Sequence, residues 1–206
     1  MDDAPAWTYQ HASELRNHWW WRPGWSVGRR FYTWHYTFEG QSHLHQLVAR
    51  YQKALDGFRN LDPIPRAWIH LTVQGLGFAD DVDPDDLRHI RAAVDGRLEK
   101  LAPGRVTFST AVVRPEALAL PPMPIEPVVE AKLAIRAGIA DVWGEKRVPE
   151  SADTFQPHVS LAYSNDTADS NAVVKQIARV VSEPVQVVLT RPRLIQLHRD
   201  NRMYQW

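Results

Sequence analysis

Apolar positions along the chain recur with two periods, and the periods alternate. Phe31 to Phe38 (FYTWHYTF) is dense in aromatic and β-branched residues and stops at Glu39-Gly40, which predicts a strand. From His43 to Phe58, Leu44, Leu47, Val48, Tyr51, Leu55 and Phe58 fall at helical spacing. Asp62-Pro63-Ile64-Pro65 breaks the chain, and Ala67 to Val73 (AWIHLTV) predicts the next strand. Asp83-Pro84 supplies an N-cap and a first-turn proline for a helix carrying Leu87, Ile90, Val94, Leu98 and Leu101. Val106 to Val113 reads as a strand. A helix with Val128, Val129, Leu133, Ile135, Ile139 and Val142 follows the Pro121–Pro124 segment. Val159 to Tyr163 is a short strand, Ala172 to Val181 is helical, and Val185 to Leu189 and Leu194 to His198 are strands. Met203 to Trp206 reads as the opening of another. This order predicts a mixed α/β or α+β domain with helices packed on one side of the sheets.

Composition narrows the possibilities. The chain has 206 residues, enough for one sizeable core or two tightly packed lobes. Lys plus Arg and Asp plus Glu both number 24, so the formal charge is zero. No basic excess points to bulk binding of duplex nucleic acid or acidic membranes, and a nucleic-acid ligand is expected to be short and locally bound. Cysteine is absent, which excludes a disulfide framework, a Cys-ligated zinc and a thiolate nucleophile. The N-terminus carries no targeting pattern and no run approaches a membrane span, so the expectation is a cytoplasmic monomer with no membrane or obligate protein partner. Nine tryptophans stand out. Trp7, Trp19, Trp20, Trp21 and Trp25 fall within residues 1–30, which lack periodicity and read as an ordered arm preceding a single domain over residues 31–206.

Two predicted strands resemble each other. His70-Leu71-Thr72-Val73 and His158-Val159-Ser160-Leu161 both read histidine, apolar, hydroxyl, apolar. Residues i and i+2 share a strand face, so His70 projects with Thr72, and His158 with Ser160. Breaking a P–O bond benefits from one group that takes a proton and another that gives one; two histidines supply both near neutrality. Neutral hydroxyls can hold non-bridging oxygens as charge develops. One such motif alone is usually a half-polar strand face. Two copies, each following a helix, point to similar halves meeting across a cleft.

With HLTVQGLGF at His70 to Phe78 and FQPHVSLAY at Phe155 to Tyr163, the sequence resembles the 2H phosphoesterase superfamily. That group includes 2′-5′ RNA ligase-like proteins and cyclic nucleotide phosphodiesterases. The resemblance spans roughly residues 31 to 206 and leaves the Trp-rich arm outside. It implies an α+β, bilobal, LigT-like fold: two pseudo-symmetric lobes of antiparallel sheet with outer helices around a central cleft. It also implies cofactor-free and metal-independent hydrolysis of 2′,3′-cyclic phosphates on small nucleotides or RNA ends. His70 and His158 become the acid–base pair, with their roles unassigned, and Thr72 and Ser160 hold the phosphate.

Other residues are weaker candidates. Tyr163 stands where relatives often carry an aromatic, but parity puts it opposite His158 unless the strand bulges. Gln74 shares the His70 face by alternation, or simply caps the strand. Trp34 and Tyr36 are candidates to stack a base, against a competing reading as core. His43 and His45 diverge on a helix, His89 lies on a polar face, and His11, His18, His35 and His198 have no partner at a telling spacing. A zinc on His70, His158 and a carboxylate would leave the hydroxyls unexplained. Arg66, Arg114, Arg191, Arg193, Arg199 and Arg202 are candidates to line a cleft or to be solvated. The competing function is a non-catalytic RNA-end or nucleotide binder that uses the same cleft.

Overall fold

A computed structural model of the chain describes residues 10–206. Trp7 lies outside the described residues. The strands are β1 (Glu14–Leu15), β2 (Phe31–Thr37), β3 (Leu61–Pro63), β4 (His70–Phe78), β5 (Gly104–Phe108) and β6 (Val112–Val113), then β7 (Ala117–Leu120), β8 (Val159–Ser164), β9 (Ala168–Asp169), β10 (Val185–Leu189) and β11 (Arg193–Leu197). The helices are α1 (Ser42–Ala54), α2 (Pro84–Leu98), α3 (Glu126–Trp143) and α4 (Asn171–Ile177). A seven-stranded sheet runs β11-β2-β4-β8-β7-β6, with β3 also paired to β8. Each of its pairings is antiparallel. Separate two-stranded ribbons join β5 to β10 and β1 to β9.

Alternation explains how this sheet is covered. Trp34, Tyr36, Leu71, Val73, Val159 and Leu161 are all buried. α3, from the second half of the chain, contacts β4, whereas α1, from the first half, contacts β8. The halves are therefore interleaved: each half's helix backs the other half's central strand. α2 packs on α3 where Gly138 removes a side chain; a Cβ there would lie 2.6 Å from Val94 Cγ2 and 2.8 Å from its backbone nitrogen. Asp83 caps α2 by accepting from the Asp85 and Asp86 amides, with Pro84 in the first turn.

Several elements depart from their periodicity. Val106 to Val113 is two strands in two sheets, because the Tyr51 hydroxyl replaces the ladder between them. It accepts from the Ala111 amide and donates to the Ser109 carbonyl, each at 3.2 Å. Arg66–Trp68 is a turn of 3₁₀ helix, and the strand that follows starts at His70 and continues to Phe78. Ala117–Leu120, an apolar run with no alternation, is a strand the spacing does not reveal. α4 ends at Ile177, short of Val181. Met203 to Trp206 form no strand; one bridge between His198 and Gln205 folds the tail back.

The arm packs against the sheet over residues 10–30. Its amides at Ala12 and His18 donate to the carbonyls of Val113 and Ser164, each at 2.8 Å. Trp19 is buried, and its indole N–H donates to Asp62 at 2.9 Å. Among the described residues no helix is long and apolar enough to cross a membrane. Overpacking the α2–α3 contact tests this architecture: Gly138→Val is expected to lower stability by about 1–3 kcal/mol, measured as a shift in the urea midpoint.

Candidate active site

β4 and β8 lie side by side, with Leu71 opposite Val159. Continuing that antiparallel register puts His70 beside Ser160 and Thr72 beside His158. The apolar residues between them face the core, so all four polar side chains are forced onto the other face. There they line one cleft of about 300 Å³.

The two histidines are held alike. His70 Nδ1 lies 2.7 Å from the Trp68 carbonyl, and His158 Nδ1 lies 2.8 Å from the Gln156 carbonyl. A carbonyl only accepts, so each Nδ1 carries the proton and each neutral ring keeps a bare Nε2. Burial pushes His70 down to about 4, with the charges of His158 and His18 adding and the Trp68 bond opposing. His158 is also lowered by burial, with Arg114 adding and the Gln156 bond opposing. Both rings are therefore neutral at pH 7.

Bulges decide which neighbours join them. On β4, Thr72 pairs with His35 and Gln74 with Trp34, so Val73 is an extra residue and the alternation inverts beyond it. Gln74 therefore leaves the His70 face, and Gly75 takes its place in the cleft. Gln74 is fully buried, donating to the Gly75 and Pro149 carbonyls and accepting from Lys132, each at 2.8 Å. Trp34 is buried on the same reverse face and does not line the cleft, so no base can stack on it there. On β8 the corresponding extra residue is Leu161: Ser160 pairs with Ala119 and Tyr163 with Ala117. This bulge turns Tyr163 into the cleft that Ser160 also lines. Burial raises the Tyr163 phenol, which stays protonated.

Two further histidines complete the lining. His35 stacks flat on His70, with centroids 4.4 Å apart and planes 3° apart. Its Nε2 is 3.1 Å from Thr72 Oγ1 and its Nδ1 is buried without a partner. A proton on Nδ1 would be an unsatisfied buried donor, so it sits on Nε2 and donates to Thr72, leaving that hydroxyl's own proton free for the cleft. Burial, then the neighbouring His70, hold His35 well below its ordinary value. His18 stacks on Tyr163 at 4.2 Å and lies 3.1 Å from both Glu116 Oε2 and the Tyr204 hydroxyl. The polar alternation Thr33-His35-Thr37 marks His35's strand face, but its pairing with Thr72 has no sequence signal. His18, Arg22 and Trp25 line the cleft from the aperiodic arm. Trp206, from the tail, sets its ring edge-on to His70 at 5.4 Å.

The arginines singled out by sequence do not line the cleft. Arg199 is buried, donating to the His18 and Trp20 carbonyls. Arg191 pairs with Glu99 and Arg193 with Glu39 at the surface. Arg114 bonds Gln156, the residue whose carbonyl holds His158. Among the described residues no three His, Asp or Glu side chains converge to hold a metal.

The family model described as the 2′-5′ RNA ligase superfamily matches residues 40–201. No curated protein matches the sequence. Among solved structures, TT0787 of Thermus thermophilus is 21% identical, with 82% of this chain and 87% of that chain covered at a TM-score of 0.54. A protein described as a phosphoesterase is 13% identical, covering 82% and 96%, at 0.55. Escherichia coli LigT complexed with 3′-AMP is 14% identical, covering 82% and 96%, at 0.52. At these identities the likeness is one of fold.

The buried neutral histidines tie stability to pH. Unfolded histidine titrates near 6.5, whereas His70 titrates at about 4 in the fold. Between those values the unfolded chain binds more protons, so stability falls as pH drops from 6.5 toward 4, by up to about 3 kcal/mol for His70 alone. Urea midpoints measured from pH 7 to pH 4.5 are expected to decrease, and His70→Gln is expected to flatten the slope.

Proposed function

This chain belongs to the 2′-5′ RNA ligase superfamily, and we propose that it hydrolyses 2′,3′-cyclic phosphates of nucleotides or RNA ends without a metal ion. The observation that carries this reading is the matched pair of Nδ1-anchored histidines, each beside a hydroxyl, in one cleft. Two Nε2 atoms facing one cavity suit an in-line displacement at phosphorus. The cavity of about 300 Å³ admits a ligand of nucleotide size. LigT, which shares the fold, has been crystallised with ATP and with 3′-AMP.

Protons and bonds balance within a single displacement. The cyclic phosphate brings a negative charge, which favours protonation of one histidine at Nε2. The other, still neutral, takes a proton from water as the water oxygen bonds to phosphorus. The P–O bond to one ribose oxygen breaks, and that oxygen receives the proton from the cationic histidine. The product is a phosphomonoester, and the two histidines have exchanged protonation states. Hydroxyl protons of Thr72 and Ser160 are available to the non-bridging oxygens, with His35 orienting Thr72 from behind. The roles of His70 and His158 exchange in the reverse, ligating direction.

³¹P NMR of 2′,3′-cyclic nucleotides with the protein in EDTA is the direct test. The expected outcome is conversion to a phosphomonoester that persists in chelator. His70→Ala and His158→Ala are each expected to slow it by about 10²–10⁴-fold. Complete loss in EDTA would replace this reading with a metal-dependent one. Ligand binding that survives both substitutions, with no turnover in the wild type, would make the protein a binder. Both histidines are lowered, so the singly protonated pair is most populated below pH 6.5. The kcat/KM profile is therefore expected to decline as pH rises above that point.

A further inference from the structure

The arm brings a fixed positive charge to the cleft. Residues 10–30 lie outside the matched span of 40–201, yet His18, Arg22 and Trp25 share one cavity with the two motifs. Among the described residues, Arg22 is the sole Lys or Arg in that lining. Glu116 holds it: the same carboxylate takes Arg22 Nη2, the Trp20 indole N–H at 3.2 Å and His18 Nδ1 at 3.1 Å. One end of the guanidinium fork is thus satisfied. Its Nε is buried without a partner.

Arg199 stands behind this wall, with its guanidinium 5.5 Å from the Trp19 ring centre and 5.8 Å from those of Trp25 and Tyr204. Its Nη1 is also buried without a partner. Burial keeps His18 neutral. Two guanidinium groups therefore face one carboxylate, and the wall carries an uncompensated positive charge. An oxyanion would balance that charge and accept from the exposed edge of the Arg22 guanidinium, whose side chain is 36% exposed; phosphate suits the planar fork. The motif residues already supply the partners for one phosphate, and none of the four is charged at rest.

We infer that Arg22, carried by the N-terminal arm, forms a second phosphate subsite, so that the preferred ligand bears a further phosphate on the nucleoside that carries the cyclic one. The inference rests on the phosphoesterase reading for the position of the first phosphate. Two sources share this chemistry: a 5′-phosphate on a free nucleotide, and the phosphodiester that joins the terminal nucleoside to the rest of an RNA strand. Trp20 and Trp21 are 49% and 53% exposed next to Arg22, so an upstream nucleotide has ring faces within its path.

Calorimetric titration separates these cases without requiring turnover. The probes are a nucleoside 2′-monophosphate, the corresponding 2′,5′-bisphosphate, and a dinucleotide ending in a 2′-phosphate. In the wild type the added phosphate is expected to tighten binding by about tenfold or more. In Arg22→Gln that gain is expected to shrink to about twofold or less, with Arg22→Lys between the two. A larger gain from the dinucleotide assigns the subsite to RNA ends; a larger gain from the bisphosphate assigns it to free nucleotides. Equal affinity for all three probes in the wild type, or a gain that survives Arg22→Gln, overturns the inference. If Arg22→Gln does not fold, the wild-type gain decides through salt: a gain that fades between low and high ionic strength supports a charged subsite, and one that does not overturns it. Failure of the phosphoesterase reading shows separately, as cyclic nucleotides left intact.

Discussion

The contact of β4 with β8 is the constraint on which the rest depends. Leu71 sits opposite Val159, and both are fully buried. Because strand side chains alternate, burying this pair leaves no choice about where His70, Thr72, His158 and Ser160 go. A slip of one residue would bury four polar side chains and expose the core. The register that stabilises the sheet is thus the same register that assembles the site. The interleaving of α1 and α3 across the two halves reinforces it, since each central strand is backed by a helix from the other half.

The imidazoles of the cleft carry no charge at rest. His18, His35, His70 and His158 are all shifted toward the neutral form, chiefly by burial. In the proposed mechanism the charge needed for proton donation therefore arrives with the anion. The cost appears in the pH dependence of folding, because buried imidazoles resist the protonation that the unfolded chain accepts freely. The flat stack of His35 on His70 adds to this, since two cations at that spacing would repel.

Much of this was legible in the chain. Helices α1, α2 and α3 follow from apolar spacing and from the Asp83-Pro84 start, and the central strands from their β-branched and apolar content. The four motif residues were legible because the pattern occurs twice, and a pair carries information that one copy lacks. Positions just beyond each motif were not. Simple alternation assigns Gln74 to the cleft and Tyr163 to the core, and bulges at Val73 and Leu161 reverse both assignments. A bulge is set by partner strands distant in sequence, so no local pattern marks it. The arm was opaque for the same kind of reason: His18 and Arg22 are placed by bonds to Ser164 and Glu116, which no periodicity in residues 10–30 encodes.

The two bulges sit at equivalent places, immediately past each histidine's partner hydroxyl, but they deliver opposite contents. One offers Gly75, where even a Cβ would come within 2.6 Å of Glu150 Oε1 and 3.0 Å of the Phe31 ring. The other offers the ring of Tyr163, stacked on His18. The pseudo-dyad relating the histidines is therefore broken one step away from them. A ligand rotated about that axis would still find an imidazole and a hydroxyl on either hand, but would meet a phenol where it had met bare backbone. A site built by near-duplication thus has a handedness, and it presents a different wall to each of the two poses.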